Sequence, residues 1–154
     1  MFIRDELTKY KDKKIQIYCD MDGVLADYDV GNFGAFDKKR PLISNIKLLE
    51  ELMHEFDIEY HILSICHGVH QVEEKSTWLD KHAPLFKKEN RNIIAKDLIE
   101  DKNSSNIKKV FMNNLVCKDN EVIILIDDDP SVLHTIRKDN KNGVILLKDS
   151  TLIK

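Results

Sequence analysis

The chain has little that would staple, kink or anchor it. Its three cysteines, Cys19, Cys66 and Cys117, are odd in number and far apart, with no Cys-x-x-Cys pair. That excludes a disulfide framework and a zinc knuckle and fits a reducing compartment. Five glycines and three prolines in 154 residues exclude a collagenous or low-complexity chain. The longest apolar run, Val122 to Ile126, is too short to span a bilayer. Residues 1–14 are charged throughout and carry no apolar signal core. Positive charge is not in excess either: 24 Lys and Arg against 27 Asp and Glu give −3, so no bulk basic field calls for nucleic acid. What remains, 42% apolar and 33% charged residues, predicts one soluble cytoplasmic domain over residues 1–154. A chain of this size buries roughly 68–70% of its unfolded surface.

Apolar periodicity alternates between strand and helix. Ile15 to Cys19 reads as a strand ending in Asp20. Pro41 opens a helical pattern through Leu42, Ile46, Leu49, Met53 and Phe56. Ile58 to Ile65 is the next strand, Gln71 to His82 a helix, and Asn92 to Lys96 a third strand. Ser104 is the expected N-cap of a helix carrying Ile107, Val110, Phe111 and Leu115. Val122 to Ile126 is continuous and apolar, as a strand buried on both faces should be. Pro130 opens a helix, and Val144 to Leu147 is a fifth strand. This predicts an α/β fold: a Rossmann-like, three-layer α/β/α arrangement on a five-stranded parallel sheet. Residues 1–14 are an arm, either a helix on the sheet or a loose segment.

Parallel sheets bind ligands at the carboxyl ends of their strands. Two of those ends are acidic. Asp20-Met21-Asp22-Gly23-Val24-Leu25-Ala26-Asp27 follows the first strand, and Asp127-Asp128-Asp129 follows the fourth. Chance predicts roughly 0.06 Asp-x-Asp-Gly matches in a chain of this composition. Neighbouring strands lie under about 5 Å apart, so the two clusters converge if the strands pair. Like charges at 4 Å repel by roughly 4 kcal/mol at an effective dielectric of 20, so such a site needs a cation or a raised pKa. Oxygen ligands without His or Cys point to Mg²⁺. One aspartate can then attack phosphorus, and a second acid two residues on can protonate the leaving oxygen.

The stretch from Asp20 to Asp27 resembles motif I of the haloacid-dehalogenase-like phosphohydrolases. Leu125-Ile126-Asp127-Asp128-Asp129 resembles their motif IV, and Ile62-Leu63-Ser64 their motif II. Glu74-Lys75, Trp78-Leu79, Lys81-His82 and Gly143-Val144-Ile145 are similar to the cytosolic 5′(3′)-deoxyribonucleotidase branch. The resemblance implies Asp20 as nucleophile and metal ligand, and Asp22 as general acid/base with its backbone carbonyl on the metal. It further implies Ser64 as phosphate ligand, Asp127 as metal ligand, and Asp128 as a direct or water-mediated one. Asp129 reads as the helix N-cap ahead of Pro130. The family's motif III lysine has several candidates, Lys96, Lys102, Lys108 and Lys109. Helix-start reasoning favours Lys102, with Lys108 as the alternative.

The deoxyribonucleotidase branch carries a helical cap after motif I. Here residues 28–40 leave room for a short flap only, so the fold is expected to be capless. Tyr28, Phe33 and Phe36 in that flap either stack on a base or pack on the rim. His67 and His70 follow motif II and either meet substrate or face solvent. Cys66 is nearby, but Asp20 is the better nucleophile. The expected activity is a Mg²⁺-dependent phosphomonoesterase working through an aspartyl-phosphate on a nucleotide-type substrate. The alternatives are a phosphatase on a polynucleotide end or other macromolecular phosphate, and a non-catalytic binding module. Expected partners are a phosphorylated small molecule, or a nucleic-acid end in the second case. No membrane is expected, and the pattern leaves the oligomeric state open.

Overall fold

The computed structural model describes residues 2–28 and 35–153. Five parallel strands, β1 (Lys14–Cys19), β2 (Ile58–Cys66), β3 (Arg91–Ala95), β4 (Glu121–Asp127) and β5 (Ile145–Lys148), form one sheet in the order β3-β2-β1-β4-β5. Helices α1 (Ile3–Thr8), α2 (Ile43–Glu55) and α3 (Val69–His82) share one core with the sheet. Helices α4 (Ser104–Asn113) and α5 (Pro130–Lys138) cover the other face. This is the three-layer Rossmann-like arrangement that the periodicity predicts.

Side-chain alternation sorts the strands between the two layers. Ile15, Ile17 and Cys19 of β1, with Ile124 and Ile126 of β4, pack under α1, α2 and α3. Tyr18, Ile123 and Leu125 point the other way, toward α4 and α5. β1 pairs with β4 through Cys19 and Ile126, so Asp20 and Asp127 are the next residues on adjacent strands. The order of the sheet reverses between these two strands, which opens a crevice at their carboxyl ends.

One open local expectation is resolved and two change. The N-terminal arm is the helix α1, held by fully buried Ile3 and Leu7 at i and i+4 and by an ion pair from Arg4 to Glu55 at 3.0 Å. α2 begins at Ile43; Pro41 instead bridges Ala26, and Leu42 N–H donates to Leu25 O at 2.7 Å. The N-cap of α4 is Asn103, whose side chain accepts from Asn106 N–H at 3.0 Å, so Ser104 is already helical. Asp129 caps α5, accepting from Ser131 N–H at 2.8 Å.

Pro41 and its neighbours also set the flap. The N–H of Asp27 donates to Arg40 O at 2.8 Å. Asp27 and Arg40, at the two ends of the flap, therefore lie side by side beyond the carboxyl end of β1. Phe33 lies outside the described residues.

Candidate active site

The chain turns sharply after β1. Gly23 sits at φ +79°, a conformation that favours glycine, and Gly23 N–H donates to Ala26 O at 2.8 Å. Glycine is required here for a second reason: a Cβ at this position would lie 2.1 Å from Asp128 Oδ2. Removing that Cβ is what lets the loop after β1 close against the loop after β4.

Asp20 and Asp127 are both buried, at 8% and 0% exposure, and both meet one ammonium. Lys108 Nζ lies 3.2 Å from Asp20 Oδ1 and 2.6 Å from Asp127 Oδ2. It comes from α4, on the buried side that also carries Ile107 and Met112. Carboxylate oxygens of Asp20, Asp127 and Asp128 all lie within 4.8 Å of one another. These residues, with Asp22, Tyr28 and Pro130, line an open cavity of about 470 Å³.

A second lysine enters from the opposite layer. Lys75 of α3 is 3% exposed and donates to Ser64 Oγ at 2.7 Å and to Ile65 O at 3.1 Å, with Asp22 Oδ2 at 3.5 Å. Ser64 is fully buried beneath it. Asp22 Oδ1 is also paired with Lys39 of the flap. The Asp22 carboxylate thus stands apart from the three-carboxylate cluster and is held by two lysines. Its neighbours are tied in turn: Trp78 Nε1–H donates to Lys39 O at 2.8 Å, and Phe36 N–H to Glu74 Oε2 at 3.2 Å.

The cluster is electrostatically incomplete. Burial pushes the Asp20 carboxyl up to about 7; Lys108 and Lys75 oppose the shift, while Asp127 and Asp22 add to it. Burial and the charge of Asp127 raise Asp128 as well. Burial works to lower the Lys108 ammonium, and Asp20 and Asp127 outweigh it, so Lys108 is held above its usual value. When ionised, three carboxylates against this one ammonium leave a formal charge of −2. The side-chain donors that converge here are carboxylate oxygens, the set that hard divalent cations take. Asp20, Asp127 and Asp128 could therefore hold such an ion.

Several sequence-based candidates fall elsewhere. Lys102 does not reach the cluster: its amine is taken by the carbonyls of Lys96 and Ile99, the latter at 2.6 Å. Helix-start reasoning favours Lys102 because it takes direction from the cap. Lys108, one turn in, has the buried side and the reach. Lys75 is a site residue that sequence reasoning misses. The sequence does carry a signal for it: Lys75 shares a helical stripe with Val72, Trp78 and Leu79, and a lysine on a core-facing stripe needs a buried partner. His67 and His70 are exposed and do not line the cavity. Burial raises the Cys66 thiol, which donates to Gly68 O at 3.4 Å. Phe36 is buried edge-on against Trp78, with ring centroids 5.8 Å apart, so it packs at the rim; Tyr28 is 65% exposed at the cavity mouth.

No family model and no curated protein matches the chain. Among solved structures, it is similar to the Pnkp1/Rnl/Hen1 RNA repair complex, with a TM-score of 0.59 and 15% identity over 88% of this chain. The chain spans 43% of that protein's length. It is also similar to a class C acid phosphatase from Bacillus anthracis with tungstate bound, with a TM-score of 0.54 and 12% identity, over 97% of this chain and 72% of the other. At these identities the likeness is one of architecture: the chain shares the α/β fold of these proteins.

Proposed function

We propose that the chain is a Mg²⁺-dependent phosphomonoesterase of the haloacid-dehalogenase type, acting on a nucleotide-type substrate. One observation carries the reading. Three carboxylates converge at the reversal point of the sheet, while a fourth, Asp22, is turned away and held by lysines. That division suits a centre in which one set binds a cation and one group moves a proton. The phosphatase among the structurally similar proteins supports the same class.

Asp20, Asp127 and Asp128 would hold the ion, with the backbone carbonyl of Asp22 as a further ligand. When bound, Mg²⁺ neutralises the crowded carboxylates and the phosphoryl oxygens. An Asp20 carboxylate oxygen attacks phosphorus and the ester P–O bond breaks. Asp22 gives its proton to the leaving alkoxide. In the second half Asp22 takes a proton from water, whose oxygen attacks phosphorus. The acyl P–O bond then breaks, releasing phosphate and restoring Asp20. Lys108 keeps Asp20 placed beside Asp127, and Lys75 with Ser64 offers donors to the phosphoryl oxygens. We read residues 1–154 as one working domain, and the three free cysteines suit a reducing cytoplasm.

The test is phosphate release from deoxynucleotides, ribonucleotides, sugar phosphates and phosphorylated oligonucleotides, with Mg²⁺ or chelator, for wild type and Asp20→Asn. Release that needs Mg²⁺ and is lost in the variant is the expected result. Full activity in Asp20→Asn overturns the mechanism. The exposed position of Tyr28 at the cavity mouth favours a second reading, a phosphatase on a polynucleotide end, and preference for the oligonucleotides would select it.

A further inference from the structure

The flap forms a second, smaller cavity beside the catalytic one. It measures about 220 Å³ and is lined by Asp27, Tyr28, Lys38, Lys39 and Arg40. Tyr28 lines both cavities, so they adjoin at this residue. Three cations face one carboxylate here, in a chain whose net charge is −3.

The three cations are not equivalent. Lys39 is turned inward onto Asp22, with its amine 4.8 Å from the centroid of the Phe36 ring. Arg40 pairs with Asp27 at 3.3 Å, but its side chain is 87% exposed. So exposed a pair is worth little and is readily exchanged for a better anion. Lys38 is exposed. Lys38 and Arg40 are therefore available to an incoming anion, while Lys39 fixes the flap to Asp22.

Direction follows from the chemistry. In an in-line displacement the leaving group departs opposite the attacking Asp20, toward the acid that protonates it. That acid is Asp22, and Asp22 points to the flap. Whatever alcohol leaves must then lie against Tyr28 and the cavity beyond it. Tyr28 offers a flat, 65%-exposed face to a ring, and Lys38 and Arg40 offer donors to an anion past that ring.

We infer that the flap cavity is a second-anion subsite: the substrate is a phosphomonoester of a nucleoside that carries another phosphate on its leaving side. This rests on the phosphatase reading and narrows its substrate. A free nucleoside bisphosphate and a phosphorylated strand end share this chemistry.

The experiment compares kcat/KM at low salt for thymidine 3′,5′-bisphosphate, the two thymidine monophosphates, and a short oligothymidylate carrying one terminal phosphate. The expected advantage of the bisphosphate over the better monophosphate is about tenfold, the worth of one charge-assisted contact. In Lys38→Ala/Arg40→Ala the ratio should fall below about threefold, and added salt should erode it in wild type. Arg137→Ala removes a cation from a different cavity, beside Pro130 and Lys148, and should keep the ratio. An equally favoured oligonucleotide identifies the strand end as the source of the second anion; an unfavoured one identifies the free bisphosphate. Both support the subsite.

Equal rates for mono- and bisphosphates in wild type overturn the subsite and leave the phosphatase reading intact. So does a ratio unchanged in the double variant. No release from any substrate overturns the phosphatase reading. The subsite then stands or falls on binding, followed by the fluorescence of Trp78, the chain's one tryptophan, whose indole is bonded to Lys39 O. Saturable quenching by the bisphosphate that weakens about tenfold in the double variant supports it. No response, or one the double variant retains, overturns it.

Discussion

Lys108 Nζ lies 2.6 Å from Asp127 Oδ2, a contact between residues 19 apart in the chain, and both side chains are almost wholly buried. Their layers meet here: Asp127 ends strand β4, beside the central strand β1, and Lys108 reaches it from α4. Removing one partner of such a pair strands a buried charge, which costs about 3–5 kcal/mol. Lys108→Met should therefore lower the thermal midpoint in chelator, and Mg²⁺ should recover more stability in the variant than in wild type. Calorimetry with and without the ion checks both parts. A midpoint unmoved in chelator would show that the pair carries no stability.

Asp20 gives the metal-free protein an unusual pH dependence. Its carboxyl titrates at about 7 when folded, against an ordinary value of 3.8. Between those values the folded state holds a proton that the unfolded chain has released, so stability falls as pH rises. Each unit of separation is worth about 1.4 kcal/mol. In chelator the urea midpoint should drop from pH 4 to pH 7 and level off above that. Mg²⁺ should flatten or reverse the slope. A midpoint rising over this range in chelator contradicts the argument.

Gly23 holds the two acidic loops at contact distance. Gly23→Ala must displace Asp128 and place an alanine at φ +79°. Divalent-ion affinity should fall by about tenfold or more, as when a group supporting a metal ligand is lost. Calorimetric titration with Mg²⁺ measures it. Stability in chelator should fall by about 1 kcal/mol from the backbone strain.

Lys75 and Lys102 separate by substitution. Lys75→Ala should reduce phosphate release by about 10²-fold, the usual effect of deleting a donor to a developing oxyanion. Lys102→Ala should leave release within about twofold, because its amine is bonded to two carbonyls away from the cluster. A large loss in Lys102→Ala with little in Lys75→Ala would reverse the assignment.

The sheet and the acidic strand ends were legible because each rests on a short-range rule. β4 is a run of apolar residues, and Asp20 and Asp127 each stand where such a run stops. Pairing of β1 with β4 then brings them together without further information. The lysines were not legible in the same way. Lys102 and Lys108 differ by six positions on one segment, and a flexible four-carbon side chain can reach from either. Choosing between them needs the side on which α4 meets the sheet. Lys75 announced itself only as a charge on an apolar stripe. What partner it meets depends on α3 lying over the end of β2, which no local pattern states. The flap contact from Lys39 to Asp22 depends likewise on Trp78, 39 residues further along the chain.

Lys75 and Lys108 arrive from opposite sides of the sheet, one from the α3 layer and one from the α4 layer. Neither layer alone makes the centre. A collapsed form with strands and helices but loose packing would hold the acidic ends without their counter-charges. On the proposed function, catalytic competence should come late in folding, once both coats have docked. Recovery of turnover during refolding would serve as a clock for complete tertiary assembly, running behind the far-UV signal.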